Sequence, residues 1–103
     1  MRIAIVTAPV EAAPGLARAL VEERLVACVN IVPRIRSIYR WQGKIEDGEE
    51  ALLLLKTTSE RLDRLTARIK ELHPYEVPEI IALTVNPEEG NPDYIDWVRE
   101  VVG

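Results

Sequence analysis

The chain has 103 residues, with 13 Lys plus Arg against 17 Asp plus Glu, which leaves a net charge of −4. Its length suits one domain, and 48% apolar with 29% charged residues is the composition of a folded globular protein, which excludes a disordered chain. The negative charge argues against a general nucleic-acid or anionic-membrane binder. We therefore expect one domain over residues 1–103, with neither nucleic acid nor membrane as a partner.

Cysteine content and apolar run length indicate the compartment. Cys28 is the only cysteine, so neither an intrachain disulfide nor a cysteine-based zinc cluster can form. The longest apolar runs, Leu25–Val29 and Ala51–Leu55, are far shorter than the ~20 residues of a membrane-spanning helix. The first residues, with one positive charge and a short apolar stretch, do not resemble a secretory signal. These features favour a cytoplasmic protein.

Hydrophobic periodicity predicts four strands and three helices. The chain starts with a buried strand, Ile3–Val6, and continues in a helix that begins at Pro14, buries Leu16, Leu20 and Val21, and ends near Arg24. The later elements are an extended stretch Cys28–Trp41, a strand Ala51–Leu55 continuing into Lys56 and Thr57, a helix with Leu62, Leu65, Ile69 and Leu72 on one face that ends at His73-Pro74, a strand Glu79–Val85, and a short terminal helix containing Tyr94, Ile95, Trp97, Val98 and Val101.

Two features of the sequence bear on the position and the end of the long second strand. Pro33 has no N–H to donate, so the strand is expected at a sheet edge, bent or bulged near its middle. Two turn signals follow it, Gln42-Gly43-Lys44 and Asp47-Gly48, and the tip of the hairpin can lie at either of them.

The order β-α-β-β-α-β plus a terminal helix predicts an α+β fold, the ferredoxin-like βαββαβ sandwich with an extra C-terminal helix. Two helices can cover only one face of its sheet, yet Leu52–Leu55 is apolar on both faces and Ile3–Val6 and Ile80–Leu83 nearly so. Alternatively, the C-terminal helix alone covers the second face, but a helix of about eleven residues is short for covering a four-stranded sheet. We therefore predict an oligomer whose interface includes the second face.

Several polar side chains are candidates for chemistry. We expect the ends of strands one and three to meet the starts of strands two and four, and Tyr39, Trp41 and Lys44 to lie at the opposite end, on the hairpin. The residues expected to gather at the first end are Thr7, Cys28, Asn30, Lys56, Thr57, His73 and Tyr75.

Each candidate has a structural alternative. His73, the only histidine, is a metal ligand or proton carrier, or else a helix C-terminal residue placed against the macrodipole. Cys28 is a copper(I) ligand or reactive thiol, or else a small core residue. Lys56 binds an anion or only extends out of the sheet to solvent. The chain contains no Gly-rich phosphate loop, Ser/His/Asp order or CxxC motif, and we expect a protein without catalytic activity.

Three groups of residues carry a family resemblance over essentially the whole chain. They are the segment 20–30 (Leu-Val-Glu-Glu-Arg-Leu-Val-Ala-Cys-Val-Asn), the pair Tyr39–Lys44 and Leu54–Thr58, and the motif His73-Pro74-Tyr75-Glu76-Val77-Pro78-Glu79 followed by Tyr94 and Trp97. Together they resemble the CutA divalent-cation-tolerance family. The resemblance implies a ferredoxin-like fold, a homotrimer similar to the signalling protein PII, and cytoplasmic residence.

The resemblance also implies ligands and a binding cleft. In the family's bacterial copper-site pattern, ligands fall in strand one and at a His pair before Pro-Tyr; here these positions are Val6, Leu72 and His73, and only His73 can coordinate a metal. The expected cofactor is Cu2+ or another divalent cation, weakly bound, with no organic cofactor. The family's other recurrent polar positions, which would line a cleft between subunits, fall on Cys28, Tyr39, Trp41, Lys56, Tyr75 and Glu79.

Two functional hypotheses remain. The first is a homotrimeric divalent-cation (copper) tolerance protein that binds metal weakly, without turnover. The second is a PII-like signalling or scaffold trimer that binds a small anion or metabolite in the cleft between subunits.

Overall fold

A computed structural model describes all residues from Met1 to Gly103. Its elements, in chain order, are β1 (Arg2–Ala8), α1 (Ala13–Glu22), β2 (Cys28–Trp41), β3 (Lys44–Thr57), a 3-10 turn (Ser59–Arg61), α2 (Leu62–Leu72), β4 (Ile80–Thr84) and α3 (Pro92–Val102). The strands form one antiparallel sheet in the order β2-β3-β1-β4. The predicted ferredoxin-like α+β fold with an added C-terminal helix is confirmed.

The structure settles the open features of the hairpin. Gln42 and Gly43 both have positive φ, +49° and +80°, which defines the two-residue tip of the hairpin and favours glycine at its second position. Asp47-Gly48 therefore lies inside β3, which begins at Lys44 rather than near Ala51. β2 is an edge strand with a register shift between Val32 and Ile35, as Pro33 predicts. β4 is shorter than predicted and spans Ile80–Thr84.

The core lies between one face of the sheet and the helices α1 and α2. Alternate strand residues point into it, Ala4, Val6 and Ala8 from β1 and Ala51, Leu53 and Leu55 from β3, against Leu16, Leu20, Leu65 and Ile69 of the helices. Val21, which the sequence pattern placed on the buried stripe of α1, is 41% exposed because the helix buries Ala13 and Ala17 instead.

The opposite face of the sheet, which we call the open face, carries Ile3, Ile5, Leu52, Leu54, Ile81 and Leu83. α3 reaches this face at the end that holds Cys28, through Tyr94, while its Val98 and Val102 form a separate small cluster with Ala27. Ile81 and Leu83 remain 52% and 51% exposed. A single chain thus leaves an apolar surface in solvent.

The outer half of the β2–β3 hairpin extends beyond the rest of the sheet. β1 ends at Ala8, opposite Ala51, so residues 35–50 form a two-stranded ribbon without a third strand. We call this ribbon the arm. It gives the molecule its elongated form, 44 × 26 × 22 Å.

Candidate functional site

The predicted polar residues divide between the two ends of the sheet. Arg2 lies opposite Thr57 and Ala8 opposite Ala51, so β1 and β3 are antiparallel and their C-terminal ends point away from each other. The prediction that Thr7, His73 and Tyr75 gather with Cys28, Asn30, Lys56 and Thr57 is therefore wrong. It overlooked that, in this topology, the end of one central strand lies beside the start of the other.

One end holds a small cluster on the open face. Lys56 lies opposite Cys28 across the β2–β3 pair, and its Nζ donates to Cys28 Sγ at 3.5 Å and to Asn30 Oδ1. Cys28 Sγ is also 3.3 Å from the hydroxyl of Tyr94 on α3. This hydrogen bond, together with burial, raises the pKa of Tyr94 to about 12. Sequence reasoning did not predict this pairing, because Tyr94 lies 66 residues from Cys28 along the chain.

The other end forms a groove of about 730 Å³ between the arm and the segment 73–79. Its lining includes Tyr39, Trp41, Tyr75 and Glu79, all named from the sequence, together with Thr7 and Glu50. The prediction that Tyr39 and Trp41 lie at the other end of the sheet from Tyr75 is thus also wrong. Both strands of the arm extend from the end of the sheet at which β1 has its C-terminus. Four of the six predicted cleft residues share one groove within a single chain, while Cys28 and Lys56 lie apart from it.

His73 supports the wall of this groove. The residue is 6% exposed; its Nδ1 accepts the backbone N–H of Tyr75 at 3.1 Å, and its Nε2 lies 2.7 Å from the carbonyl oxygen of Thr7. Since Nδ1 accepts, the proton is on Nε2 and is donated to Thr7. The imidazole therefore has no free lone pair in this arrangement.

A tightly held metal ion does not fit these residues. Coordination by His73 would require its Nδ1 to release Tyr75 N–H or its Nε2 to lose a proton. No three His, Cys, Asp or Glu side chains lie close enough together to hold an ion. Protein metal sites usually supply three or four ligands, so any ion at His73 would be weakly held.

Glu50 is a groove residue that sequence reasoning missed. It is 8% exposed, and the hydroxyl of Tyr75 donates to its Oε2 at 3.0 Å. In the sequence it is the last residue of an acidic segment, 46–50, whose composition is typical of a solvent-exposed hairpin. The signal that identifies it is the period of two in β3, which places Glu50 on the same face as Leu52 and Leu54.

The arginines beside the groove are already paired. Arg36 binds Asp47 through two hydrogen bonds of 2.9 and 2.6 Å, which lowers the pKa of the Asp47 carboxyl and raises that of the guanidinium. Arg34 pairs with Glu49 on the same ribbon. No ion pair involves Glu50, so the groove presents negative charge without a free internal cation.

The pKa of Tyr75 reflects the burial of its hydroxyl and the negative charge of Glu50. Burial of its hydroxyl raises its pKa to about 12, and the hydrogen bond to Glu50 and the charge of that carboxylate contribute further. The neutral phenol is therefore favoured in the folded protein, which adds stability that is present below pH 10 and lost as the pH rises to 12.

An alkaline titration tests this assignment. In a Tyr94→Phe background, which removes the other high-pKa phenol, we expect Glu50→Gln to lower the pKa of Tyr75, because the amide accepts the same hydrogen bond without the charge. Absorbance of tyrosinate at 295 nm is the measurement, and Glu100→Gln on α3 is the matched control. An unchanged titration in Glu50→Gln would show that burial alone sets this pKa.

Comparisons with known proteins fit the fold and the motifs. Residues 2–101 match the model of the family described as CutA1 divalent ion tolerance protein. The divalent-cation tolerance protein CutA of Thermus thermophilus is 54% identical over 102 residues, which are 98% of this chain and 97% of that protein. Protein CutA of Homo sapiens is 52% identical over 99 residues, and the match covers about half of that longer protein, 54%.

Solved structures agree with these matches. The PII-like protein CutA from Nostoc sp. PCC 7120 superimposes with a TM-score of 0.95 at 40% identity, over 100% of this chain and 98% of that one. The Thermus thermophilus protein gives 0.93 at 53% identity over all of both chains. None of the helices here has the length and apolar content needed to cross a bilayer. The chain therefore belongs to the CutA family of divalent-cation tolerance proteins.

Proposed function

We propose that this protein is a homotrimer that serves divalent-cation tolerance by reversible binding, without turnover, in the cytoplasm. The assembly is supported by the open face, where Ile81 and Leu83 on β4 are half-exposed and Leu52 and Leu54 on β3 are only partly buried. A contiguous apolar sheet surface of this kind marks a protein–protein interface. In a closed ring of three copies, each chain would bury this surface against its neighbours, which suits the proposed homotrimer.

The arm supports the same proposal. Ile38 and Ile45 are exposed on its two strands, and an isolated two-stranded ribbon is at best marginally stable in water. Packing of the arm against another subunit would bury these side chains and hold the groove wall in place.

The arrangement of reactive groups favours binding over catalysis. Cys28 and His73 lie at opposite ends of the sheet, so the thiol has no imidazole beside it to act as a base. Both ring nitrogens of His73 are engaged in hydrogen bonds, which also makes it a poor general base. Cys28 is unpaired, which suits a reducing compartment.

The proposed metal is Cu2+ or another divalent cation, bound weakly with His73 as the ligand. Binding is weak because the ion competes with Tyr75 N–H for Nδ1 and finds no preformed ligand set.

Native mass spectrometry of chelator-stripped protein tests both parts of this proposal. We expect a particle of three times the 11.6 kDa chain, and ion uptake only when Cu2+ or Zn2+ is in excess. His73→Gln, which retains a donor and an acceptor, should lose this uptake and keep the trimer mass. Equal uptake by His73→Gln would remove His73 from the site, and a monomer mass would contradict the assembly.

A second candidate function is favoured by the groove itself. We propose that a PII-like trimer binds a small molecule there, with Tyr39, Trp41, Tyr75 and Glu79 as the lining. An anion is the less suitable ligand for the residues of one chain, because Lys56 lies at the other end of the sheet and Arg36 is paired with Asp47. A trimer that stays free of metal but changes its Trp41 fluorescence with a metabolite would support this function over the first.

A further inference from the structure

We propose that the groove between the arm and segment 73–79 is a binding site for a small organic ammonium ion. The proposal deepens the second candidate function above, because it names the class of ligand that the same groove would take. It depends on neither metal binding nor His73.

The first support is a buried carboxylate without a counter-charge. Glu50 is more than nine-tenths buried, yet the only hydrogen bond of its side chain is the one that Oε2 accepts from Tyr75. Its Oε1 has no partner in the chain, and since no buried polar atom is left unsatisfied, this oxygen is open to the groove that Glu50 lines. A carboxylate with this little contact with water and no ion pair is stabilised by a cation that enters the groove.

The second support is the charge of the remaining lining. Glu76 and Glu79 add two further carboxylates, and neither takes part in an ion pair within the chain. The one lining cation, Arg36, is held by both oxygens of Asp47. The lining therefore favours a positively charged ligand.

The third support is aromatic surface. Tyr39, Trp41 and Tyr75 all line the groove and all are partly exposed to it. A cation over the face of Trp or Tyr is attracted by the ring quadrupole, and this attraction suits an alkylated ammonium better than a strongly hydrated metal ion.

The spacing of the carboxylates favours an organic cation over a metal ion as the ligand. Glu50, Glu76 and Glu79 do not form a group that could hold a metal ion. The groove, at about 730 Å³, is within the size range of small-molecule sites. Carboxylates distributed around aromatic rings in such a volume match a ligand whose charge is carried on an apolar body.

The test uses Trp41 as its reporter. In full-length Trp97→Phe protein, where Trp41 is the only tryptophan, choline is titrated against its uncharged isostere 3,3-dimethyl-1-butanol. We expect saturable quenching by choline alone. Glu50→Gln, which retains the Tyr75 hydrogen bond, should weaken choline binding by about tenfold or more, and Tyr39→Leu by about two- to tenfold. Glu100→Gln, an exposed carboxylate on α3, is the control and should bind as the parent does.

Three outcomes would overturn the proposal. They are equal binding of the uncharged alcohol, unchanged binding in Glu50→Gln, and the absence of both quenching and calorimetric heat with choline. The mass of the same samples reports the assembly separately, so failure here is distinguishable from failure of the proposed homotrimer.

Discussion

Ile81→Asp is expected to convert the proposed homotrimer into smaller species in solution. Ile81 lies in β4 on the open face, opposite Ile5, and is 52% exposed in the single chain. The chain itself can therefore tolerate the carboxylate, whereas an interface over this face would bury it without a partner. Leaving a buried charge unpaired costs about 3–5 kcal/mol. Light scattering or sedimentation at several protein concentrations measures the change in mass.

Two variants control this prediction. Val21→Asp places the same charge on a similarly exposed apolar residue of α1, on the helical side of the molecule, and should leave the trimer intact. Leu53→Asp, one residue from the open-face Leu54, points into the core and should unfold the chain instead. A trimer that persists in Ile81→Asp, with loss of assembly in Val21→Asp, would place the interface on the helices.

His73→Ala is expected to destabilise the protein by about 2–4 kcal/mol. The substitution leaves a cavity beneath Tyr75 and removes the acceptor of Tyr75 N–H and the donor to the Thr7 carbonyl. The free energy of unfolding falls because packing and hydrogen bonds are lost, and this effect does not require metal. It is therefore measured by urea unfolding in the presence of a chelator.

Leu72→Ala is the matched control for this effect. It truncates the neighbouring residue, which is exposed at the end of α2, and should cost much less. If His73→Ala unfolds at the same urea concentration as the parent protein without metal, His73 has no structural role in the groove wall, and a ligand role would account for its presence better.

The order and type of the elements were predictable from local patterns. The β-branched run Ile3–Val6, the helical spacing of Leu65 and Ile69, and the stop at His73-Pro74 each depend on contacts within a few residues. Pro33 predicted both the edge position of β2 and its irregularity, because a missing N–H has the same consequence in any sheet. The apolar character of Leu52 and Leu54 likewise predicted an uncovered second face.

The arrangement of the candidate site was not predictable in the same way. Tyr39, Trp41, Tyr75 and Glu79 were identified as residues, but the expected grouping placed them with the wrong neighbours. Their actual proximity depends on the direction of β3 relative to β1 and on how far the arm extends past Ala8. Both are properties of the paired sheet.

Sequence alone therefore determined the fold class, the family and the two-faced apolar sheet, because these follow from periodicity and from a motif that is continuous along the chain. Tertiary structure decided what His73 and Glu50 do. Engagement of both imidazole nitrogens requires Thr7, 66 residues away, and the surroundings of the buried Glu50 carboxylate include Tyr75, whose hydroxyl donates to it from 25 residues away. The environment of a charged or coordinating group is set by atoms that meet only when the chain has folded, and that environment determines its chemistry.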